Sequence, residues 1–99
     1  MAEISVTLTE EPDKWSANVT VTEGSSSSEH TVEMDKTYYE KLSGGAYTPE
    51  QVIETSFEFL LAREPKESIL GRFELPVINR YFGNYESELP RLLEKQYGE

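Results

Sequence analysis

The first third of the chain alternates apolar and polar residues. This is the pattern of half-buried β-strands, in which successive side chains point to opposite faces. Three such stretches predict three strands, whose apolar positions are Ile4, Val6 and Leu8, then Trp15, Ala17, Val19 and Val21, then His30, Val32 and Met34. Pro12-Asp13 is typical of a type I turn, and Gly24 with the Ser25–Ser28 run predicts a longer, flexible second connection. An antiparallel meander is expected, with one apolar face and one face rich in serine and threonine.

From Asp35 onward the apolar spacing becomes helical. Asp35 is a candidate cap for a short helix through Leu42, and Gly44-Gly45 is expected to end that helix. In Thr48-Pro49-Glu50-Gln51, the threonine caps, the proline occupies the first helical position and the glutamine completes a capping box. The apolar residues that follow cover about half of the helix circumference: Val52, Ile53, Phe57, Phe59, Leu60 and Leu61. The helix, spanning residues 48–63, is therefore expected to lie across the apolar face of the sheet.

The rest of the chain predicts shorter elements. Pro65-Lys66-Glu67 opens either a short helix through Leu70 or an extended crossing, and both alternatives stay open. Pro76 suits the first turn of a helix that ends at Gly83, and a last helix is expected to begin near Ser87 to Pro90.

These elements together predict an α+β fold. We expect a three-stranded antiparallel β-meander with one face packed by a central helix, followed by short C-terminal helices. Residues 1–99 are interpreted as a single domain, with the sheet over 1–35 and a helical half over 36–97.

The charge of the chain narrows the possible functions. Nineteen acidic and nine basic side chains give a net charge of −10, which disfavours nucleic-acid partners because affinity for phosphates comes mostly from lysine and arginine. The absence of cysteine excludes thiol chemistry and fits a reducing compartment. The longest apolar cluster, Phe57 to Ala62, contains Glu58 and is too short to span a membrane. Met1-Ala2-Glu3 begins neither a basic nor an apolar region, so no signal peptide is expected. A cytoplasmic location is expected.

The sequence predicts no catalytic residue, metal ligand or cofactor. His30 is the single histidine, and its strand parity places it on the core-facing side, where one hydrogen bond at the sheet margin is expected to satisfy it. A zinc site needs three or four ligands, and neither a second imidazole nor a thiolate is available. Acid–base catalysis by two carboxylates needs an acid held in an apolar pocket, whereas most acids here fall in turns or on polar helix faces. A non-enzymatic function is favoured, and a small carboxylate-based enzyme remains an alternative.

Two surfaces are candidates for binding another protein. The outer strands of a meander have edges that could receive a partner strand or pair in a homodimer. The second surface combines arginines with aromatic residues, which are typical anchors of protein interfaces: Arg72, Arg80, Tyr81 and Tyr85. Residues 66–83 around them carry a net charge of +1, whereas residues 1–34 carry −6. We therefore interpret the protein as a non-enzymatic interaction or regulatory module.

The stretch from Tyr38 to Tyr85 resembles a group of small, acidic, uncharacterised prokaryotic proteins, through the segments YYEKLSGG, TPEQVIETSFEFLLAREPKESIL and FELPVINRYFGNY. The predicted order of three strands and a helix is similar to the partial RNase H-like fold of HicB-type antitoxins. That resemblance implies an acidic domain that neutralises a small basic toxin. The alternative interpretation of the chain is therefore an acidic antitoxin-like or nucleic-acid-mimic protein that binds a basic partner. The DNA-binding segment of that family has no counterpart here, because the tail from Gly83 has only Arg91 and Lys95 against four glutamates.

Overall fold

The computed structural model describes residues 2–98, which form a four-stranded mixed sheet and four α-helices. The strands are β1 (Glu3–Glu10), β2 (Lys14–Glu23), β3 (Ser26–Asp35) and β4 (Arg72–Glu74). The helices are α1 (Lys36–Ser43), α2 (Pro49–Leu61), α3 (Val77–Tyr81) and α4 (Tyr85–Tyr97), and a 3₁₀ turn covers Lys66–Ser68. The predicted α+β class is confirmed.

The sheet has the order β1-β2-β3-β4, and its fourth strand was not predicted. Strands β1, β2 and β3 pair antiparallel, but β4 pairs parallel with β3, so the prediction of a three-stranded antiparallel sheet is wrong. The Thr31 nitrogen donates to the Gly71 oxygen, and the Leu75 nitrogen donates to the Glu33 oxygen. A strand of three residues is too short to show alternation, and a parallel pair depends on a distant crossover connection.

The turn between β2 and β3 is also tighter than expected. Glu23 pairs directly with Ser26, so that Gly24 and Ser25 alone form the connection. Gly24 has a φ of 59°, which glycine adopts without steric cost and which suits the first position of a tight hairpin turn. The serine run therefore belongs mainly to β3 and is not a flexible loop.

The capping signals place the first two helices as expected. The Thr48 hydroxyl accepts from the Gln51 nitrogen, and the Gln51 side chain accepts from the Thr48 nitrogen, so the capping box that starts α2 is formed. Gly44, with a φ of 64°, ends α1. Asp35 precedes α1 but its side chain makes no capping hydrogen bond.

The core lies between the inner face of the sheet and the helices. Its centre is formed by fully buried side chains from β2, β3 and α2: Ala17, Val19, Val21, Val32, Met34, Val52, Ile53 and Phe57. The opposite face of the sheet is solvated. Helix α4 begins at Tyr85, two residues before the expected start, and Pro90 lies inside it. Among residues 2–98, no helix is long and apolar enough to cross a membrane.

Candidate functional site

The four residues predicted to bind a partner occupy three different environments. Tyr85 is fully buried: its ring packs edge-on against Phe59 at 5.2 Å, and its hydroxyl lies 2.7 Å from the Ser56 hydroxyl. Burial raises the pKa of the Tyr85 phenol well above its ordinary value. A side chain with no exposed surface cannot contact a partner, so the expected surface role does not fit Tyr85.

The other three residues are exposed, but they do not share one face. Arg72 lies on β4 next to the buried Phe73, and neighbouring strand side chains point to opposite faces, so Arg72 lies on the outer side of the sheet. Arg80 and Tyr81 both lie on α3, and Tyr81 is 68% exposed. The structure therefore keeps Arg80 and Tyr81 together and separates them from Arg72.

Tyr81 lines an apolar pocket with a cavity volume of about 210 Å³. The walls come from the end of α2, the segment that leads into β4, and α3. Most of the lining side chains are apolar: Leu60, Ile69, Leu70, Phe73, Val77, Ile78, Tyr81 and Phe82, with Glu64 and Ser68 as the polar members. Tyr81 and Leu70 are the two large apolar side chains in residues 2–98 that are strongly exposed, at 68% and 46%. Both exposed side chains therefore belong to this one pocket.

His30 holds one wall of the pocket against the sheet. Its Nδ1 atom lies 2.7 Å from the Leu70 carbonyl oxygen, and its Nε2 atom lies 2.8 Å from the Ser28 hydroxyl. A carbonyl oxygen only accepts, so Nδ1 donates to Leu70, while Nε2 is engaged by the Ser28 hydroxyl. With both ring nitrogens engaged, the histidine positions the wall segment and neither nitrogen is free to bind a metal.

Lys66 anchors the other end of the pocket wall that leads into β4, residues 66–71. Its ammonium is almost completely buried and pairs with Glu67 and, at 3.6 Å, with a carboxylate oxygen of Glu23 at the end of β2. The hydrogen bond to Glu67 is the main cause that raises the pKa of Lys66 above its ordinary value, so the side chain stays charged. Ion pairs and hydrogen bonds to the sheet therefore shape the pocket from both ends of this segment.

Two arginines, Arg63 and Arg80, adjoin pocket-lining residues in the chain and form no ion pair within residues 2–98. The Arg63 guanidinium lies over the Phe59 ring at 3.6 Å from its centroid and donates to the Phe59 carbonyl oxygen. Arg63 and Arg80 neighbour the lining residues Glu64 and Tyr81 in the chain. Within residues 2–98, the ion pairs involve lysines and none involves an arginine. These guanidinium groups remain able to bind carboxylates.

Two polar side chains, Glu64 and Ser68, line the pocket beside its apolar walls. Glu64 is the single carboxyl among its lining residues, whereas acid–base catalysis by carboxylates uses two. Across residues 2–98, no group of three histidine, aspartate or glutamate side chains is placed to hold a metal ion. The arrangement of apolar walls and an exposed tyrosine is suited to binding.

The exposure of Leu70 was not predicted, although the sequence contains a signal for it. Ile69 and Leu70 are adjacent apolar residues in an extended segment, where successive side chains point in opposite directions. One of them has to face outward, and the structure buries Ile69 and exposes Leu70. The other missed lining residues, such as Leu60 and Val77, look like ordinary core residues in sequence.

The chain matches no protein-family model, no curated protein and no solved structure.

Proposed function

We propose that the protein is a non-enzymatic protein-binding module whose pocket receives one apolar side chain from an acidic segment of a partner. The observation that carries this proposal is that Leu70 and Tyr81, both strongly exposed, line the same pocket. Single exposed apolar residues are common, but exposed apolar residues grouped in a concavity are typical of interaction sites.

The size and charge of the site support this choice of occupant. A cavity of about 210 Å³ accommodates one side chain of the size of leucine or phenylalanine and is too small for a folded element. Residues 63–82 carry four basic and three acidic side chains, in a chain whose net charge is −10. Carboxylates on either side of an apolar anchor could pair with Arg63 and Arg80, which form no ion pair within residues 2–98.

The experiment uses two labelled peptides that differ only in charge. In one, a central phenylalanine is flanked by glutamates, and in the other it is flanked by lysines. We expect the glutamate peptide to bind more tightly and to shift the NMR signals of Leu70 and Tyr81. Tyr81→Ser is expected to weaken binding about tenfold, because it removes an exposed aromatic wall.

Charge reversals test the role of the arginines. Arg80→Glu is expected to weaken binding of the glutamate peptide about fivefold, and Arg91→Glu, an exposed position on α4, to change it less than twofold. Equal effects of the two reversals would mean that peptide binding depends on the net charge of the protein and not on the position of Arg80. Signal changes confined to residues outside the pocket would contradict the proposed function.

A further inference from the structure

The two edges of the sheet differ in length and in protection. At one edge, β4 contributes three residues, and short edge strands are a common protection against unwanted pairing. At the other edge, β1 contributes eight residues that pair one-to-one with β2 without a bulge. This strand contains neither proline nor lysine, the residues that most often block an edge. The β1 edge is therefore long and open to pairing.

The hydrogen-bond pattern shows which backbone groups point away from the sheet. The Glu11 nitrogen donates to the Lys14 oxygen across the first turn, so residues 11 and 14 form a hydrogen-bonded pair. Hydrogen-bonded and non-bonded pairs alternate along an antiparallel ladder. The backbone N–H and C=O groups of Ile4, Val6 and Leu8 therefore face the open edge. Among residues 2–98, no backbone group outside the ladder binds them.

The side chains of β1 define what would fit beside it. Ile4, Val6 and Leu8 are half-buried on the inner face, and the positions between them are exposed serine and threonine. A strand with the same alternation would continue both faces of the sheet, because residues that pair across an antiparallel ladder share a face. Glu3 and Glu10 lie at the two ends of β1, both exposed, and the Glu10 carboxylate also pairs with Lys36 at 2.7 Å.

Charge decides between a second copy of this chain and a different strand. The hairpin of β1 and β2, over residues 3–23, carries five acidic residues and one lysine, a net charge of −4. Pairing with a second copy would bring two such hairpins side by side and would be opposed by their repulsion. A strand with a basic residue at each end would instead place positive charge opposite Glu3 and Glu10.

We infer that the β1 edge is a binding site for an extended basic segment of a partner protein, added antiparallel as a fifth strand. The segment alternates apolar and polar residues over six positions between two lysines or arginines. Such a partner fits the alternative expectation of an acidic module that binds a basic protein. This site is independent of the apolar pocket, and each can fail without affecting the other.

The test uses the capped peptide Lys-Thr-Val-Thr-Val-Thr-Val-Lys. Its matched controls carry glutamate at both ends, or N-methylvaline at the valine opposite Val6, which removes one backbone donor without changing the protein. We expect the lysine peptide to slow amide exchange of Ile4, Val6 and Leu8 about tenfold, while Ser5 and Thr7, already paired with β2, change little. The two control peptides are expected to bind at least about tenfold more weakly.

A charge swap in the protein makes the test reciprocal. The double variant Glu3→Lys with Glu10→Lys is expected to prefer the glutamate peptide, whereas Glu29→Lys with Glu94→Lys, two exposed sites with the same total change, keeps the lysine preference. Equal binding of all peptides, or protection away from β1, would overturn the inference. It would also be overturned if sedimentation showed a dimer whose Ile4, Val6 and Leu8 amides are protected without peptide, because a second copy would then occupy the edge.

Discussion

Side-chain exposure has a different origin in the antiparallel hairpins of β1 to β3 and in the pocket segment, residues 63–82. In strands β1 to β3, each side chain's exposure follows from its parity, and the charge of −6 over residues 1–34 lies on a solvated surface. In the pocket segment, exposure follows from contacts with distant elements, such as the hydrogen bond between His30 and Leu70, 40 residues apart. Local alternation is therefore sufficient for the first region, and tertiary contacts decide the second.

The sharpest test of this difference compares Tyr81 with Tyr85, two nearby tyrosines with the same predicted role. Tyr85→Ala is expected to lower the free energy of unfolding by ~3–5 kcal/mol, because it empties a fully buried site and removes the partner of Ser56. Tyr81→Ala is the matched control and is expected to stay within about 0.5 kcal/mol of the native protein. Urea denaturation measures both. Similar losses for the two variants would contradict the assignment of Tyr81 to the surface.

The next effect concerns the contact that joins the two regions. His30→Phe keeps an aromatic ring beside Phe57, 5.3 Å away, but leaves the Leu70 carbonyl and the Ser28 hydroxyl without their partner. We expect a loss of about 1–3 kcal/mol and faster amide exchange in residues 69–75.

Ser28→Ala is the control for His30→Phe, because it removes one of the two hydrogen bonds and leaves the one to Leu70. Its expected loss is about 1 kcal/mol, with exchange in residues 69–75 unchanged. If exchange there accelerated equally in both variants, His30 would not be the residue that positions the pocket wall.

A pH-dependent contribution of similar or smaller size comes from Glu86, which ties α4 to α1. The Tyr38 hydroxyl donates to its carboxylate at 2.8 Å and Lys41 pairs with it at 3.0 Å. These contacts hold the pKa of Glu86 below its ordinary value of 4.5. A carboxyl with a lowered pKa in the folded state stabilises the protein above that ordinary value, and the contribution is lost as the pH falls through the folded-state pKa.

Glu86→Gln is therefore expected to cost up to about 1 kcal/mol at neutral pH and progressively less below pH 4.5. Glu88→Gln, in the same first turn of α4, is the matched control with a smaller cost. Thermal unfolding followed from neutral to acidic pH separates the two. A pH-independent difference between Glu86→Gln and the native protein would contradict the role of this carboxylate.

Arg80→Glu is expected to affect stability as little as Tyr81→Ala does. The guanidinium is exposed and forms no ion pair within residues 2–98, so the free energy of unfolding is expected to change by less than about 0.5 kcal/mol. The same variant is expected to weaken the binding of the glutamate peptide. A stability loss above 1 kcal/mol would mean that Arg80 supports the fold and that its effect on binding is indirect.

Much of the fold could be predicted because its signals are local. The alternation of the first three strands, the capping box at Thr48 and the glycine that ends α1 each depend on residues within a few positions of one another. Helix α4 begins two residues before the earliest start that the sequence predicts, at Tyr85, whose ring packs against Phe59, a contact that no local pattern encodes.

The candidate site was predicted less well, for the same reason. Arginine beside aromatic residues indicated Arg72, Arg80, Tyr81 and Tyr85, and of these four Tyr81 lines the pocket. Strand parity could have placed Arg72 on the outer face only if β4 had been recognised, and three residues give no periodic signal.

The sequence alone determined the α+β class, the inner face of the first three strands and the acidic character of the sheet, because alternation, capping and charge are properties of neighbouring residues. Tertiary structure decided which tyrosine is buried, how β4 joins the sheet and where the apolar pocket forms. These features depend on contacts such as Ser56 with Tyr85, 29 residues apart, and His30 with Leu70. A side chain becomes buried, and a pocket forms, only when elements that are distant in sequence pack against each other.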